Sequence, residues 1–514
     1  MSRSRPPLIL VIPAVAAALI AVAPIWYLLD RSLEQGWAEV VDELWRRRTL
    51  DLVARSLGLT AAVTLGSVMI GLIAAWLVVH SDLRGRRALQ VAFTLPLAIP
   101  SYLAAFAWIS WRPGLAGFTG AALVLTMVSY PYVMLPAIAA LSRLDPAHED
   151  VARSLGRSRM SVALRLTLPQ IRTSIAAGAL LVALYVLSDF GAVAAMRYEV
   201  FTWVIYGAYR AGFNPSRAAI LATVLVLLAL VLVAAEARVR GRATARVGSG
   251  SPRAHNPVPL GRATPLAYLF AAGVLGPALV FPLWRIVVWL TSYTSTDIDF
   301  GEVVSALGHT LLLAAAAAVA TMLLAFQVGV LAARSSSPFA RVLERTTYIG
   351  HGLPGIVVAI SLVYVGVRVL RPIYLEPPLL VLGYVVLFLP LAVGAVRSSV
   401  EQSPARLEEV ARSLGDRPRT VLRRVTAPLA APGISAGAAL VLLATMKELP
   451  VTLVLHPTGT ETLATRLWRY TAVSDYANAG PYAIALVLFA AIPTALLSAP
   501  YRDRRTERTE VTAT

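Results

Sequence analysis

The sequence contains one seven-residue segment twice, as DVARSLG at 150–156 and as EVARSLG at 409–415. The two copies lie about half of the 514-residue chain apart. A repeat of such a long period in an apolar chain predicts two homologous membrane halves. The same offset continues downstream and relates Arg165 to Arg424, Thr167 to Thr426, Pro169 to Pro428, Gly178 to Gly437 and Asp189 to Glu448.

The composition indicates a membrane protein. The chain is 57% hydrophobic and 14% charged, with a mean hydropathy of +0.69, whereas soluble domains carry about 25% charged residues. This balance predicts an all-α polytopic fold. The chain has no cysteine, which excludes disulfides, thiolate-bound zinc and thiol catalysis, and its six histidines show no metal-binding spacing.

The net charge of +18 does not indicate nucleic-acid binding. The arginines lie in short loops between apolar runs, without a basic domain or an RNA-binding aromatic motif. Arginine in such loops is typical of the cytoplasmic side of a membrane protein.

Apolar runs of about 20 residues predict membrane spans. The first run shows no clear cleavage site, so we interpret it as a span and not as a signal peptide. The third and ninth runs are the weakest, because they contain prolines and glycines, and they occupy matching places in the two halves. The twelve predicted spans are 8–29, 57–80, 89–110, 118–141, 174–195, 216–236, 264–290, 306–333, 346–369, 378–396, 433–455 and 480–500.

Most of the 46 basic residues fall on one side of these spans. The positive-inside rule makes that side cytoplasmic, together with both termini and both repeated segments. The protein is therefore expected to be a multi-pass protein of the inner (plasma) membrane, in contact with lipid. The predicted domains are a first half at 1–236, a flexible cytoplasmic linker at 237–263, a second half at 264–500 and a cytoplasmic tail at 501–514.

Each repeated segment is predicted to form a helix, a turn and a second helix. Asp145-Pro146 and Ser403-Pro404 are typical of a helix start, with a capping side chain before a proline. Acidic residues in the first turns suit the positive end of the helix dipole. Gly156 and Gly415 are expected to break the helix in a left-handed conformation. A basic amphipathic helix follows, and Pro169 and Pro428 are expected to end it before the next span.

Two interpretations of this segment remain open. One amphipathic helix near a bilayer could simply lie on the membrane surface. Two copies with the same polar residues at the same spacing favour a docking site for another protein.

The repeated pattern resembles the EAA loop of binding-protein-dependent ABC importer permeases, with loops at 145–170 and 403–429. Val151 and Val410 replace the first alanine of that motif, and Asp150 replaces its glutamate. The resemblance implies two fused permease domains that engage an ABC ATPase dimer and receive cargo from a solute-binding protein. The positions that it implies for ATPase coupling are Glu149, Asp150, Ala152, Gly156, Pro169, Glu408, Glu409, Ala411, Gly415 and Pro428.

A second resemblance concerns the cargo. The segment MKELPVTLVLHP at 446–457, followed by ETLATRLW at 461–468, is similar to ferric-iron ABC permeases. The segment SDFGAV at 188–193 matches the same family in the first half. Permeases for thiamine and related solutes share this layout, so thiamine, sulfate and other small solutes remain alternatives to ferric iron.

The chain is not expected to be an enzyme. A phosphate-binding loop of the GxxxxGK[ST] type needs a lysine, and the only lysine is Lys447, preceded by Met446. The resemblance therefore implies that ATP and Mg²⁺ bind to the partner ATPase and that this chain binds no cofactor. A proton-coupled secondary transporter is the alternative from another class, and it leaves the repeated segments without a purpose.

The ionisable residues Asp189, Lys447 and Glu448 lie within the predicted spans and are candidates for the translocation path. Asp189 and Glu448 occupy equivalent places in the fifth span of each half, about 22 Å from its cytoplasmic end at 1.5 Å per residue. Such carboxylates could face the path or even ligate a hard cation, and no metal ligand is assigned. Alternatively, Glu448 pairs with Lys447 or caps the next helix. Tyr185, Tyr364 and His351 are further polar candidates, for which core packing is also considered.

Overall fold

The computed structural model describes residues 8–34, 36–210, 215–240, 258–292, 299–335 and 337–498. Within these ranges the chain is helical and contains no strand beyond a single bridge. The first half comprises α1 (Leu8–Leu33), α2 (Trp37–Trp45), α3 (Arg47–His80), α4 (Arg86–Thr94), α5 (Ser101–Trp111), α6 (Phe118–Ser129), α7 (Pro131–Leu141), α8 (Pro146–Ser154), α9 (Arg159–Val162), α10 (Leu168–Ser188), α11 (Gly191–Ala195), α12 (Phe201–Arg210) and α13 (Pro215–Arg240).

The second half repeats most of this order. Its helices are α14 (Thr264–Leu275), α15 (Phe281–Ser292), α16 (Phe300–Arg334), α17 (Pro338–Thr347), α18 (Gly355–Arg368), α19 (Pro377–Gln402), α20 (Ala405–Ser413), α21 (Pro418–Val421), α22 (Ala427–Met446), α23 (Pro450–Leu455), α24 (Leu463–Ala472) and α25 (Tyr476–Ser498).

The described residues include ten helices that are long and apolar enough to cross a membrane, or up to twelve when each bent pair is one span. The two bent pairs are the weak spans of the sequence. Arg86–Ala98 meets Ser101–Trp111 at 88°, and Pro338–Gly350 meets Gly355–Arg368 at 105°. Pro100 and Pro354 stand immediately before the second helix of each pair, where a proline lacks the donor that would continue the first helix.

The predicted limits of the fifth span in each half were wrong. The continuous helices run over Met160–Ser188 and Pro418–Met446, so both begin earlier and end earlier than predicted. Pro169 and Pro428 therefore do not end a separate amphipathic helix. A π-helical turn precedes each proline, at Ala163–Thr167 and at Leu422–Thr426, and its wider hydrogen bonds let the helix continue past a residue that has no N–H donor.

The first spanning helix of each half packs against the opposite half. α1 lies against α16, α17 and α18, and α15 lies against α5. At the contact of α1 with α16, small alanine side chains allow the helix backbones to approach closely. All six buried apolar clusters of the described residues contain side chains from both halves, so the halves share a core.

The predicted linker has ordered ends. α13 continues to Arg240, and Val258 forms a parallel bridge with Ser81 at the end of α3. The Val258 N–H donates to the carbonyl of His80 at 2.7 Å. Residues 241–257 and the predicted tail at 501–514 lie outside the described residues, so flexibility of the linker and the domain limits stay predictions.

Candidate functional site

The first repeated helix begins as the sequence predicts. Asp145 precedes Pro146 and its Oδ1 accepts a hydrogen bond from the Ala147 N–H at 3.0 Å. This contact satisfies one of the free donors at the helix start.

The second copy begins differently, and the predicted Ser403 cap is wrong. Pro404 is the capping residue, α20 starts at Ala405, and no side chain accepts from its first turn. The Ser403 hydroxyl donates instead to the carbonyl of Ser399 at 3.1 Å, because Ser403 directly follows α19 and bonds back to the turn before it.

Both repeated helices end in the predicted left-handed glycine. Gly156 has φ +82° and Gly415 has φ +92°. The following backbone N–H in each copy bonds back to the helix, to the carbonyl of Ala152 at 3.2 Å and to the carbonyl of Ala411 at 3.1 Å. This closing pattern reverses the chain and fixes the angle to the next helix.

An acidic residue of each repeated helix is bonded to the long helix that follows. The Glu149 carboxylate accepts a hydrogen bond from the Thr167 hydroxyl at 2.7 Å, and Glu408 accepts one from Thr426 at 3.0 Å. Both threonines belong to the π-helical turns and are buried. The repeated helices are thereby attached directly to spanning helices.

The environments of the two glutamates differ. Arg334, at the end of α16, pairs with Glu408 at 3.0 Å, and Arg412 lies 3.6 Å from the same carboxylate. In the first half, His80 at the end of α3 has its Nε2 3.9 Å from the Glu149 carboxylate. The repeated helix of the second half, α20, is therefore held by more charge pairs than α8, the repeated helix of the first half.

Each repeated helix leaves an apolar pair exposed beside an exposed acid, Asp150 or Glu409. We call each set of two apolar side chains and one acid the docking face. Exposed apolar side chains at matching positions are typical of a protein-binding surface. The sequence contained this signal as well, because Leu155 and Leu414 lie within the repeated segment. The apolar pairs are Val151 (59% exposed) with Leu155 (77%) and Val410 (53%) with Leu414 (82%).

Asp189 lies at the break between α10 and α11, not within a spanning helix as predicted. Its Oδ1 accepts hydrogen bonds from the N–H groups of Ala192 at 2.9 Å and Val193 at 3.4 Å, which start α11. Ser101 donates its hydroxyl to the other oxygen. The carboxylate therefore joins the start of α5 to the start of α11.

Glu448 has the same role in the second half. Its carboxylate accepts from the N–H groups of Val451 at 2.9 Å and Thr452 at 3.0 Å, at the start of α23. The alternative in which Glu448 caps the next helix is thus the one that the structure shows. Lys447 does not form the alternative ion pair with it; its Nζ donates to the carbonyl of Leu97 at 2.5 Å.

The three candidate path residues line one cavity of about 360 Å³ between the two halves. Tyr185 also lines it, whereas Tyr364 lies elsewhere and is bonded to Asp30 and Arg368. The side chain of His351 lies outside the described residues. The sequence did not identify two further polar lining residues, Ser101 and Tyr102, because they come from the bent third span.

Comparison with known proteins identifies the family. The sequence profile described as "Binding-protein-dependent transport system inner membrane component" matches residues 67–239 and again 325–502. The chain belongs to this family. The two matches cover both halves, so the protein is a permease of the ABC importer type with two fused permease segments.

Individual relatives agree with this result. The chain is 34% identical to the Fe(3+)-transport system permease protein FbpB 2 of Haemophilus influenzae, over 96% of this chain and 98% of that protein. It is 26% identical to the probable ABC transporter permease protein y4fN of Sinorhizobium fredii, over 77% of each. The sulfate transport system permease protein CysT of Salmonella typhimurium is 24% identical over 40% of this chain and 82% of its own length.

Family membership settles the broader alternatives. Permeases of this family are multi-pass membrane proteins that work with an ATPase and a solute-binding protein. The interpretation as a proton-coupled secondary transporter is therefore wrong. The permease components that it resembles are not themselves enzymes.

Proposed function

We propose that this permease imports ferric iron across the inner membrane. The observation that supports iron is the 34% identity that extends over 98% of a protein named as a ferric-iron permease. The sulfate permease CysT covers only 40% of this chain and is less similar. Iron would arrive from a solute-binding protein at the outer ends of the helices.

The two docking faces would each receive one subunit of an ATPase dimer on the cytoplasmic side. Each face carries the same apolar pair and an acid. The helix that bears it is attached to a spanning helix by a hydrogen bond between a glutamate and a threonine side chain. Closure of the ATPase dimer would pull the repeated helices α8 and α20 and so move α10 and α22, which end at the cavity between the two halves. ATP and Mg²⁺ would bind to the ATPase, and both termini of this chain would be cytoplasmic.

An uptake assay tests the cargo. The permease, its ATPase and its binding protein are reconstituted in liposomes that contain ATP, and labelled ferric iron, thiamine, sulfate and molybdate are compared. We expect ATP-dependent accumulation of iron and background levels of the others. Accumulation of another solute without iron would contradict the proposal. The control is an ATPase variant in which the lysine of the phosphate-binding GxxxxGK[ST] loop is replaced.

A further inference from the structure

The short helix α2 lies between two spanning helices of the first half. It occupies Trp37–Trp45, within residues 34–46 that join α1 to α3. The equivalent helices of the second half, α15 and α16, are joined by residues 293–299, a stretch shorter than α2 itself. The connection therefore does not require a helix of this length, and α2 is an addition to the duplicated framework.

The outer faces of α2 differ in chemistry. Trp37, Val41 and Trp45 recur at every fourth residue and fall within an arc of about 80°, which we call the aromatic stripe. Trp37 is 69% exposed and Trp45 is 75% exposed, although tryptophan side chains are usually highly buried. The acids Glu39 and Asp42 are also exposed, and they lie about 100–160° from the middle of the stripe.

The remaining face of α2 fixes the direction of the aromatic stripe. Val40 and Glu43 are buried on this face. The Glu43 carboxylate accepts a hydrogen bond from Nε of Arg217 in α13 at 2.8 Å and pairs with Arg46 at 2.6 Å. Because breaking a buried ion pair is costly, α2 cannot rotate freely about its axis. The stripe therefore keeps one direction.

The length of α3 sets the level of α2 relative to the membrane. His80 at the end of α3 lies 3.9 Å from Glu149 of a repeated helix, whereas α2 directly precedes the start of α3. The two sites are thus on opposite sides of the membrane. α3 has 34 residues, which corresponds to about 51 Å, and a bilayer with its headgroups is about 40–45 Å thick. A tilted α3 therefore places α2 at the level of the headgroups.

The residues on both sides of α2 agree with this level. Leu29 and Leu33 are exposed on the spanning helix α1, so its lipid-facing surface continues to its last residue, shortly before α2 begins. Arg47 and Arg48 are exposed directly after α2, where their guanidinium groups suit the phosphates of lipid headgroups. Tryptophan itself is enriched at the boundary between lipid and water.

We propose that α2 is an interfacial helix whose aromatic stripe lies among the lipid headgroups, on the side of the membrane opposite the repeated helices. The indole rings of Trp37 and Trp45 contact the first carbons of the acyl chains, and the acidic face of α2 points to water. The solute-binding protein then contacts other parts of this side. The inference goes beyond the proposed transport and does not depend on the cargo.

Spin labels on single cysteines test this inference, because the chain contains no cysteine of its own. Trp37→Cys and Trp45→Cys label the aromatic stripe, and Glu39→Cys and Asp42→Cys are the matched controls on the acidic face. The full-length permease is placed in nanodiscs of phosphatidylethanolamine and phosphatidylglycerol. The accessibility of each label to oxygen and to a water-soluble nickel chelate is measured. We expect a several-fold higher ratio of oxygen to nickel accessibility for the stripe labels, because oxygen concentrates among lipid chains.

A second measurement keeps the native tryptophans and uses nanodiscs whose lipids carry bromine on the first carbons of the acyl chains. Bromine quenches the fluorescence of nearby indoles. Trp37→Phe and Trp45→Phe should each reduce the quenched part of the permease fluorescence. Trp289→Phe is the control, because Trp289 is buried and donates to the Ser110 hydroxyl, so its loss should leave the quenched part unchanged.

Three results would overturn the inference. The first is equal accessibility of the stripe labels and the acidic-face labels to the nickel chelate, with bromine quenching unchanged in Trp37→Phe and Trp45→Phe. The second is a stripe that is open to water in the permease alone and becomes protected when the solute-binding protein is added, which would assign the stripe to that protein. The third is magnetic coupling between stripe labels of two permease copies, which would assign it to a dimer.

Discussion

The Glu149 carboxylate accepts a hydrogen bond from the Thr167 hydroxyl at 2.7 Å, across the turn between the repeated helix and a spanning helix. The second half repeats this bond between Glu408 and Thr426 at 3.0 Å. A force on the docking face can therefore reach the spanning helix through one side-chain pair in each half. This relationship leads to the first prediction.

Thr167→Val should partly uncouple transport from ATP hydrolysis, because valine keeps the shape but removes the donor. The lost bond to a charged group is worth about 1.5–3 kcal/mol. We expect fewer solute molecules imported per ATP hydrolysed, measured in liposomes. Thr426→Val should have the smaller effect, because Arg334 also holds Glu408. An equal or larger effect of Thr426→Val would show that the ion pair between Arg334 and Glu408 does not support α20.

Gly156→Ala should weaken binding of the ATPase. An added Cβ would meet no atom within 4 Å, so the cost is the left-handed backbone alone, about 1–2 kcal/mol. Gly156→Asn should be milder, since asparagine tolerates this conformation better. The measurement is the amount of ATPase that co-purifies with the permease. Gly273→Ala in α14 is the control, because Gly273 has neither a positive φ nor a close neighbour, and it should bind the ATPase normally.

Asp189→Ala should destabilise the permease more than Asp189→Asn. Alanine leaves the Ala192 and Val193 N–H groups at the start of α11 without their acceptor, which costs about 1–3 kcal/mol, whereas asparagine keeps an acceptor oxygen. Thermal unfolding in detergent and the uptake rate are both measured. Normal stability of Asp189→Ala would contradict the capping role, whereas lost iron uptake at normal stability in Asp189→Asn would favour a cation ligand. Glu448→Gln and Glu448→Ala should behave in the same way.

The sequence predicted the local features well. The glycine turns, the Asp145 cap and the two weak spans follow from the properties of single residues and their neighbours. The repeat also placed Asp189 and Glu448 in equivalent positions, which the structure confirms.

Features that depend on long-range packing could not be predicted in this way. The contact of α1 with the opposite half needs a three-dimensional arrangement that hydropathy does not contain. The π-helical turn before Pro169 has no distinct sequence signal, so a proline appeared to end a helix that continues. Ser403 carries a good capping side chain, yet the end of α19 determines where its hydroxyl points.

The most direct test of the account is the number of ATPase subunits bound to one permease chain, measured by native mass spectrometry of the purified complex. We expect two subunits per chain for the wild type. Leu155→Asp and Leu414→Asp each place a charge on one docking face, so each should weaken the complex, and the double variant should bind no ATPase while still inserting and folding. If the folded double variant retained two ATPase subunits, this would contradict the claim that the ATPase binds to the repeated helices.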